Sequence, residues 1–144
     1  MLEAFAQAQR RRPSLHLLLV GDGPLTNQLK QQADQLAITP NIHFAGAVPY
    51  AQVPNSLSAA DFFTTASVSE VHPLTVIEAM AAGLPILGRD APGLRDCITP
   101  NCTGLLVNNQ PQQFTQALLT LTDHPELRRK LGQAAQREAH GRFS

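Results

Sequence analysis

Apolar residues in this chain fall into two kinds of pattern, short continuous runs and longer stretches in which they recur every third or fourth position. The runs are LHLLLV (Leu15–Val20), NIHFAG (Asn41–Gly46), DFFTTA (Asp61–Ala66), PILG (Pro85–Gly88) and TGLLV (Thr103–Val107). Each has the length of a strand and is bounded by Gly, Pro, Asn, Asp or Ser, so five short strands are expected. Between them, Leu25, Leu29 and Leu36 sit at helical spacing after Gly-Pro, Val53 and Leu57 mark a second helix, and Leu74, Ile77 and Met80 a third. Beyond the last strand, Phe114, Leu118 and Leu121 form one amphipathic stripe and Leu127, Leu131 and Ala134 another. A helix also precedes the first strand and closes on Arg10-Arg11-Arg12, where cations offset the helix dipole. Strand and helix alternate, which predicts an α/β fold, a Rossmann-like parallel sheet with helices on both faces. There is no internal repeat and no low-complexity linker.

The chain has 144 residues, 43% hydrophobic and 15% charged, enough for one core and too short for two ordinary domains. Eleven Lys and Arg balance eleven Asp and Glu, so net charge gives no reason to expect nucleic acid as a partner. Cys97 and Cys102, in DCITPNC, fit neither C-x-x-C nor a zinc spacing and read as inert, reduced thiols of a cytoplasmic protein. No stretch has the character of a secretory signal, and no run approaches the ~18 apolar residues of a membrane span.

In open α/β sheets ligands bind beyond the carboxyl ends of the strands. The loops there are VGDGP, FAGAVPY, ASVSEVHP, GRDAPG and VNNQ. Gly21 and Gly23 would let backbone approach a phosphate closely, although a tight strand-to-helix turn explains them equally well. A dinucleotide fingerprint fails, since Thr26 stands where its third glycine belongs, and neither Lys30 nor Lys130 completes a phosphate-binding P-loop. The informative loop is SEVHPLTVIEAMAAGLPI, Ser69 to Ile86. Pro73 suits the first turn of a helix running from about Leu74 to Ala82, and Gly83-Leu84-Pro85 ends it. Glu70 then precedes the helix at its positive end, and Glu78 lies about one turn in. The free N–H groups of Leu74, Thr75 and Val76 face the same space, so one element offers amide donors for a diphosphate and carboxylates for sugar hydroxyls. The plainer alternative has Glu70 complementing the dipole and Glu78 solvated.

The run S-x-x-E, seven residues, E-A-M-A-A-G-L-P, followed by A-P-G-L-R-D-C-I and T-G-L-L-V, resembles the C-terminal domain of the retaining GT-B glycosyltransferases of the family 4 type (glycosyl transferases group 1). VGDGP, FAGAVP and DHPELRRKLGQAAQ fall in that family's order, so the resemblance covers nearly the whole chain. It implies that residues 1–144 are a nucleotide-sugar (donor) binding domain truncated at both ends, probing a fold whose N-terminal acceptor domain is absent. Glu70, in the E-x7-E motif, would serve at the donor sugar and Glu78 at the ribose hydroxyls. Val48 and Pro49 would contact the base, Gly21 and Gly23 would lie near the diphosphate, and Leu74 and Thr75 would donate amides to it. The resemblance implies no cofactor and no metal beyond the nucleotide-sugar substrate, and leaves room for peripheral membrane association of the full enzyme.

Departures from the family pattern carry consequences. Val71-His72-Pro73 replaces glycine-aromatic-glycine, and Pro73 cannot donate an N–H. His72 either reaches the donor or caps the helix locally. Arg89, after the fourth run, could face an anion. The family's Gly-Arg and Lys, which neutralise the diphosphate, have no counterpart here, and neither does the strand that carries them. In the order 3-2-1-4-5-6 that strand is central. Leu15–Val20 is then expected either to pair directly with Phe62–Thr65 or to leave a chain that self-associates, both runs having the continuous apolar character of strands buried on two faces. The function implied is the donor-binding part of a retaining glycosyltransferase, inactive in isolation. The alternatives are a non-catalytic nucleotide-sugar-binding fragment and a nucleotide-sugar epimerase of similar fold.

Overall fold

A computed structural model describes residues 1–20, 24–65, 74–108 and 110–142. In chain order the elements are α1 (Leu2–Arg11), β1 (Leu17–Val20), α2 (Thr26–Gln35), β2 (Ile42–Gly46), α3 (Val53–Ser58), β3 (Phe63–Thr65), α4 (Leu74–Ala81), β4 (Ile86–Arg89), α5 (Pro92–Arg95), β5 (Gly104–Val107), α6 (Pro111–Asp123) and α7 (Pro125–Arg142). Every expected strand is present, β4 running one residue beyond the expected Gly88 to Arg89 and the other four trimmed at their ends, and α5 is an addition. All strand pairs are parallel, as the alternating pattern requires, and they form two sheets among the described residues: β1–β2 and β3–β4–β5.

The direct pairing of Leu15–Val20 with Phe62–Thr65 is therefore not formed. Both sheets are instead fastened to one core. Leu2, Phe5 and Ala8 of α1 and Phe114, Leu118 and Leu121 of α6 pack with Leu17 and Leu19 of β1, Phe44 of β2, Leu87 of β4 and Leu105 and Val107 of β5. A bidentate ion pair also ties the ends of α1 and α6, from Arg12 Nε and Nη2 to Asp123 Oδ1 and Oδ2, at 2.7 and 2.6 Å. Arg12 is thus engaged by a distant carboxylate rather than by the helix dipole alone, and its guanidinium holds the Asp123 carboxyl below the usual range.

The two sheets are covered differently. Ile86 and Leu106 point away from the first core into a second, with Val76, Ala79 and Met80 of α4, Leu94 of α5 and Ala135 and Ala139 of α7. The β3–β4–β5 sheet is thereby covered on both faces. In β1 the alternation is real: Leu17 and Leu19 are half-buried, whereas Leu18 and Val20 are 41% and 45% exposed. The continuous apolar run at Leu15–Val20 is consequently covered on one face only, contrary to expectation, because α4 and α7 are committed to the other sheet.

The position of α4 is set by a close backbone approach. The helix ends in a Schellman motif, with Gly83 N–H donating to the Met80 carbonyl (2.9 Å) and Leu84 N–H to that of Ala79 (3.1 Å), and Gly83 takes φ of +83°. Against this turn lies Gly132 of α7, where a Cβ would fall inside contact distance of the Gly83 carbonyl oxygen. Gln136 Nε2 adds a bond to the Ala81 carbonyl at 3.2 Å. Gly132→Ala should therefore destabilise the fold by about 1–3 kcal/mol, as overpacking does. Gly141→Ala, where a Cβ meets nothing within 4 Å, should not. Thermal melts of the two variants check this, and equal melting temperatures would contradict it.

Candidate functional site

The expected site residues that are described follow the carboxyl ends of β2 and β3. Val48, half-buried, and exposed Pro49 follow β2 and lead into a 3-10 turn over Tyr50–Gln52. Leu74, Thr75 and Glu78 share the first turns of α4, downstream of β3. Gly21, Gly23, Glu70 and His72 lie outside the described residues. The structure thus brings Leu74, Thr75 and Glu78 together on one helix, and holds Val48 and Pro49 on a separate element at the carboxyl end of β2.

α4 buries Val76, Ala79 and Met80 and leaves Thr75 exposed and Glu78 half-exposed. The described part of α4 begins at Leu74, and the residues before it, 66–73, lie outside the described ones. Among the described residues no hydrogen bond or ion pair reaches the Glu78 carboxylate. A part-exposed carboxylate without a partner among the described residues can accept hydrogen bonds from hydroxyl groups.

Arg89 ends β4 and lines a cavity of ≈ 290 Å³ with Met1, Glu3, Gln32, Asn108 and Gln110. Its neighbour Asp90 is occupied by Arg95, whose Nε and Nη2 donate to the carboxylate at 2.5 and 3.0 Å and depress its pKa. No group of three His, Cys, Asp or Glu among the described residues could hold a metal ion. No helix among them is long and apolar enough to cross a membrane.

The family description "Glycosyl transferases group 1" matches residues 1–138. The chain belongs to this family. It is 36% identical over 127 residues, 88% of the chain, to the alpha-monoglucosyldiacylglycerol synthase of Streptococcus pneumoniae. Among solved structures, a mutant of TarM from S. aureus in complex with fondaparinux, alpha-GlcNAc-glycerol and UDP superposes with TM-score 0.94 at 19% identity. It covers 99% of this chain and 29% of TarM. The C-terminal domain of a glycosyl transferase group 1 family protein from Francisella tularensis gives TM-score 0.89 at 23% identity, covering 99% of this chain and 77% of that one. The group 1 chain spans 29–41% of the length of the curated relatives it matches. Its fold is that of the C-terminal half of the GT-B glycosyltransferases.

The two cysteines differ in exposure and therefore in reactivity. Cys97 is buried in the second core, and burial pushes its thiol pKa up, with Arg142 opposing weakly, whereas Cys102 is exposed. A thiol that is both covered and harder to ionise reacts slowly. At neutral pH a water-soluble alkylating reagent should label Cys102 promptly and Cys97 only after unfolding. Mass spectrometry of the labelled peptides checks this, and comparable rates would contradict the burial of Cys97.

Proposed function

We propose that this chain forms the donor-binding half of a nucleotide-sugar-dependent glycosyltransferase that transfers its sugar with retention of anomeric configuration. The observation that carries the reading is the family match over residues 1–138 together with a half-exposed Glu78 carboxylate on α4 that has no partner among the described residues. In this reading Glu78 accepts from the ribose hydroxyls, the amides of Leu74 and Thr75 meet the diphosphate, and Val48 and Pro49 border the base. Glu70 acts at the donor sugar, and His72, Gly21 and Gly23 line the same ligand. The acceptor side, and the cationic group that neutralises the diphosphate, belong to an N-terminal domain and a strand outside residues 1–144. Solved relatives with UDP make uridine nucleotides the first probes. The protein is read as cytoplasmic, with the complete enzyme associating peripherally with membranes; the lipid product in the name of the pneumococcal relative supports that association.

Titration of the chain with UDP-glucose, followed by amide NMR, should shift residues 21–23, 48–50 and 70–78 at millimolar ligand. An absence of shifts in those segments sinks the reading. In the complete enzyme, Glu78→Ala should weaken donor binding by about 1.5–3 kcal/mol, the worth of a hydrogen bond to a charged acceptor. Glu70→Ala should lower kcat more than it raises KM, because a contact to the reacting sugar can strengthen in the transition state. Small and equal effects of both changes would leave Glu78 a solvated helix residue and Glu70 a complement to the helix dipole. Product stereochemistry by NMR of the released glycoside tests retention separately.

A further inference from the structure

The uncovered face of the β1–β2 sheet carries two imidazoles that the donor site does not use. His16 Nδ1 lies 2.9 Å from His43 Nε2, with ring centroids 5.1 Å apart and planes inclined by 29°. Both residues are exposed. They meet because β1 and β2 pair in parallel with Leu18 opposite His43, and His16, two residues before Leu18, stands on the same face. The backbone beneath them is fastened. Asn41 Nδ2 donates to the carbonyls of Pro13 and Leu15, both at 2.9 Å, tying the approach to β2 to the approach to β1.

We propose that His16 and His43 chelate a divalent transition-metal ion, with water filling its remaining positions. Two imidazole nitrogens bound at about 2.0–2.1 Å to one ion stand roughly 3–3.4 Å apart, so the facing nitrogens, 2.9 Å apart with ring centroids at 5.1 Å, separate only slightly while both exposed rings turn to aim their lone pairs at the ion. Imidazole suits Zn²⁺, Cu²⁺ and Ni²⁺, whereas Mg²⁺ and Ca²⁺ prefer oxygen ligands. In the neutral pair a single N–H lies between the facing nitrogens. On metal binding that proton passes through water to the other nitrogen of the same ring. Both facing nitrogens then present lone pairs, and both rings stay neutral. No third His, Cys, Asp or Glu joins them among the described residues, so the ion is held by two protein ligands. It also bridges the strands of a two-stranded sheet, a unit that is weak on its own, so binding favours the native state over the unfolded chain.

The test uses the tag-free chain with ZnCl₂, NiCl₂ and CuCl₂, measured by calorimetric titration, thermal melts and imidazole ¹⁵N NMR. One ion per chain is expected, with a melting temperature that climbs with metal concentration, Cu²⁺ binding tightest and MgCl₂ having no effect. His16→Ala and His43→Ala should each weaken binding by at least about tenfold, since even the outer partners of metal ligands are worth that much. His140→Ala should leave affinity unchanged. Unaltered affinity in His43→Ala, or one ion shared by two chains, would overturn the site. Should a variant fail to fold, the unaltered chain still decides: metal-induced ¹⁵N shifts must appear at His16 and His43, and their confinement to other histidines overturns the proposal.

Discussion

The backbone contact between α7 and the turn after α4 is the constraint on which the candidate site depends. Gly132 can stand against the Gly83 carbonyl only because it has no side chain, and Gly83 can end the helix there only because it tolerates a left-handed φ. With that end fixed, Val76, Ala79 and Met80 lock into the second core, and the rotation of α4 leaves Glu78 at the margin between core and solvent. The carboxylate is oriented by packing that it takes no part in. Among the described residues no hydrogen bond or ion pair holds it.

Covering is uneven across the strands, and the difference follows from where the helices are spent. β4 places Leu87 in one core and Ile86 in the other, so α1 and α6 serve one face of its sheet while α4 and α7 serve the opposite face. The β1–β2 pair shares only the first of these layers. Its outer face keeps Leu18, Val20, Ala45 and the two histidines in contact with water. Structure near α4 is therefore supported from two sides, and structure near β1 from one.

Much of this architecture was legible in the sequence because strand runs and helical stripes differ in period, and that difference survives without tertiary information. The five runs located five strands, and the Gly83-Leu84-Pro85 break located the end of α4. The four residues of α5 were not legible: Pro92-Gly93-Leu94-Arg95 has the composition of a turn, and only the burial of Leu94 in the second core makes it a helix. The exposed side of β1 was hidden for the opposite reason. Leu18 and Val20 are chemically like Leu17 and Leu19, so no pattern could say that one face lacks a cover. Arg12 looked like a dipole partner because its true partner, Asp123, is 111 positions away. Glu78 stood out through its spacing from Glu70, a signal that needs no knowledge of the fold. The histidine pair had a fainter one, a His as second residue in LHLLL and again in IHF, which becomes a contact only when those runs align in parallel.

The division of the sheet has a mechanical consequence. Within each sheet, strands are joined by a ladder of directional backbone bonds, but among the described residues the β1–β2 unit connects to the β3–β4–β5 unit through side-chain packing with α1 and α6. Packed side chains resist separation yet permit small sliding motions that a ladder would forbid, as in shear between layers. The segment after β2, with Val48 and Pro49, rides on one unit, and α4, with Glu78, rides on the other. The width between them is then a soft coordinate, governed by the seating of two helices, and a ligand touching both would act as a clasp across the seam.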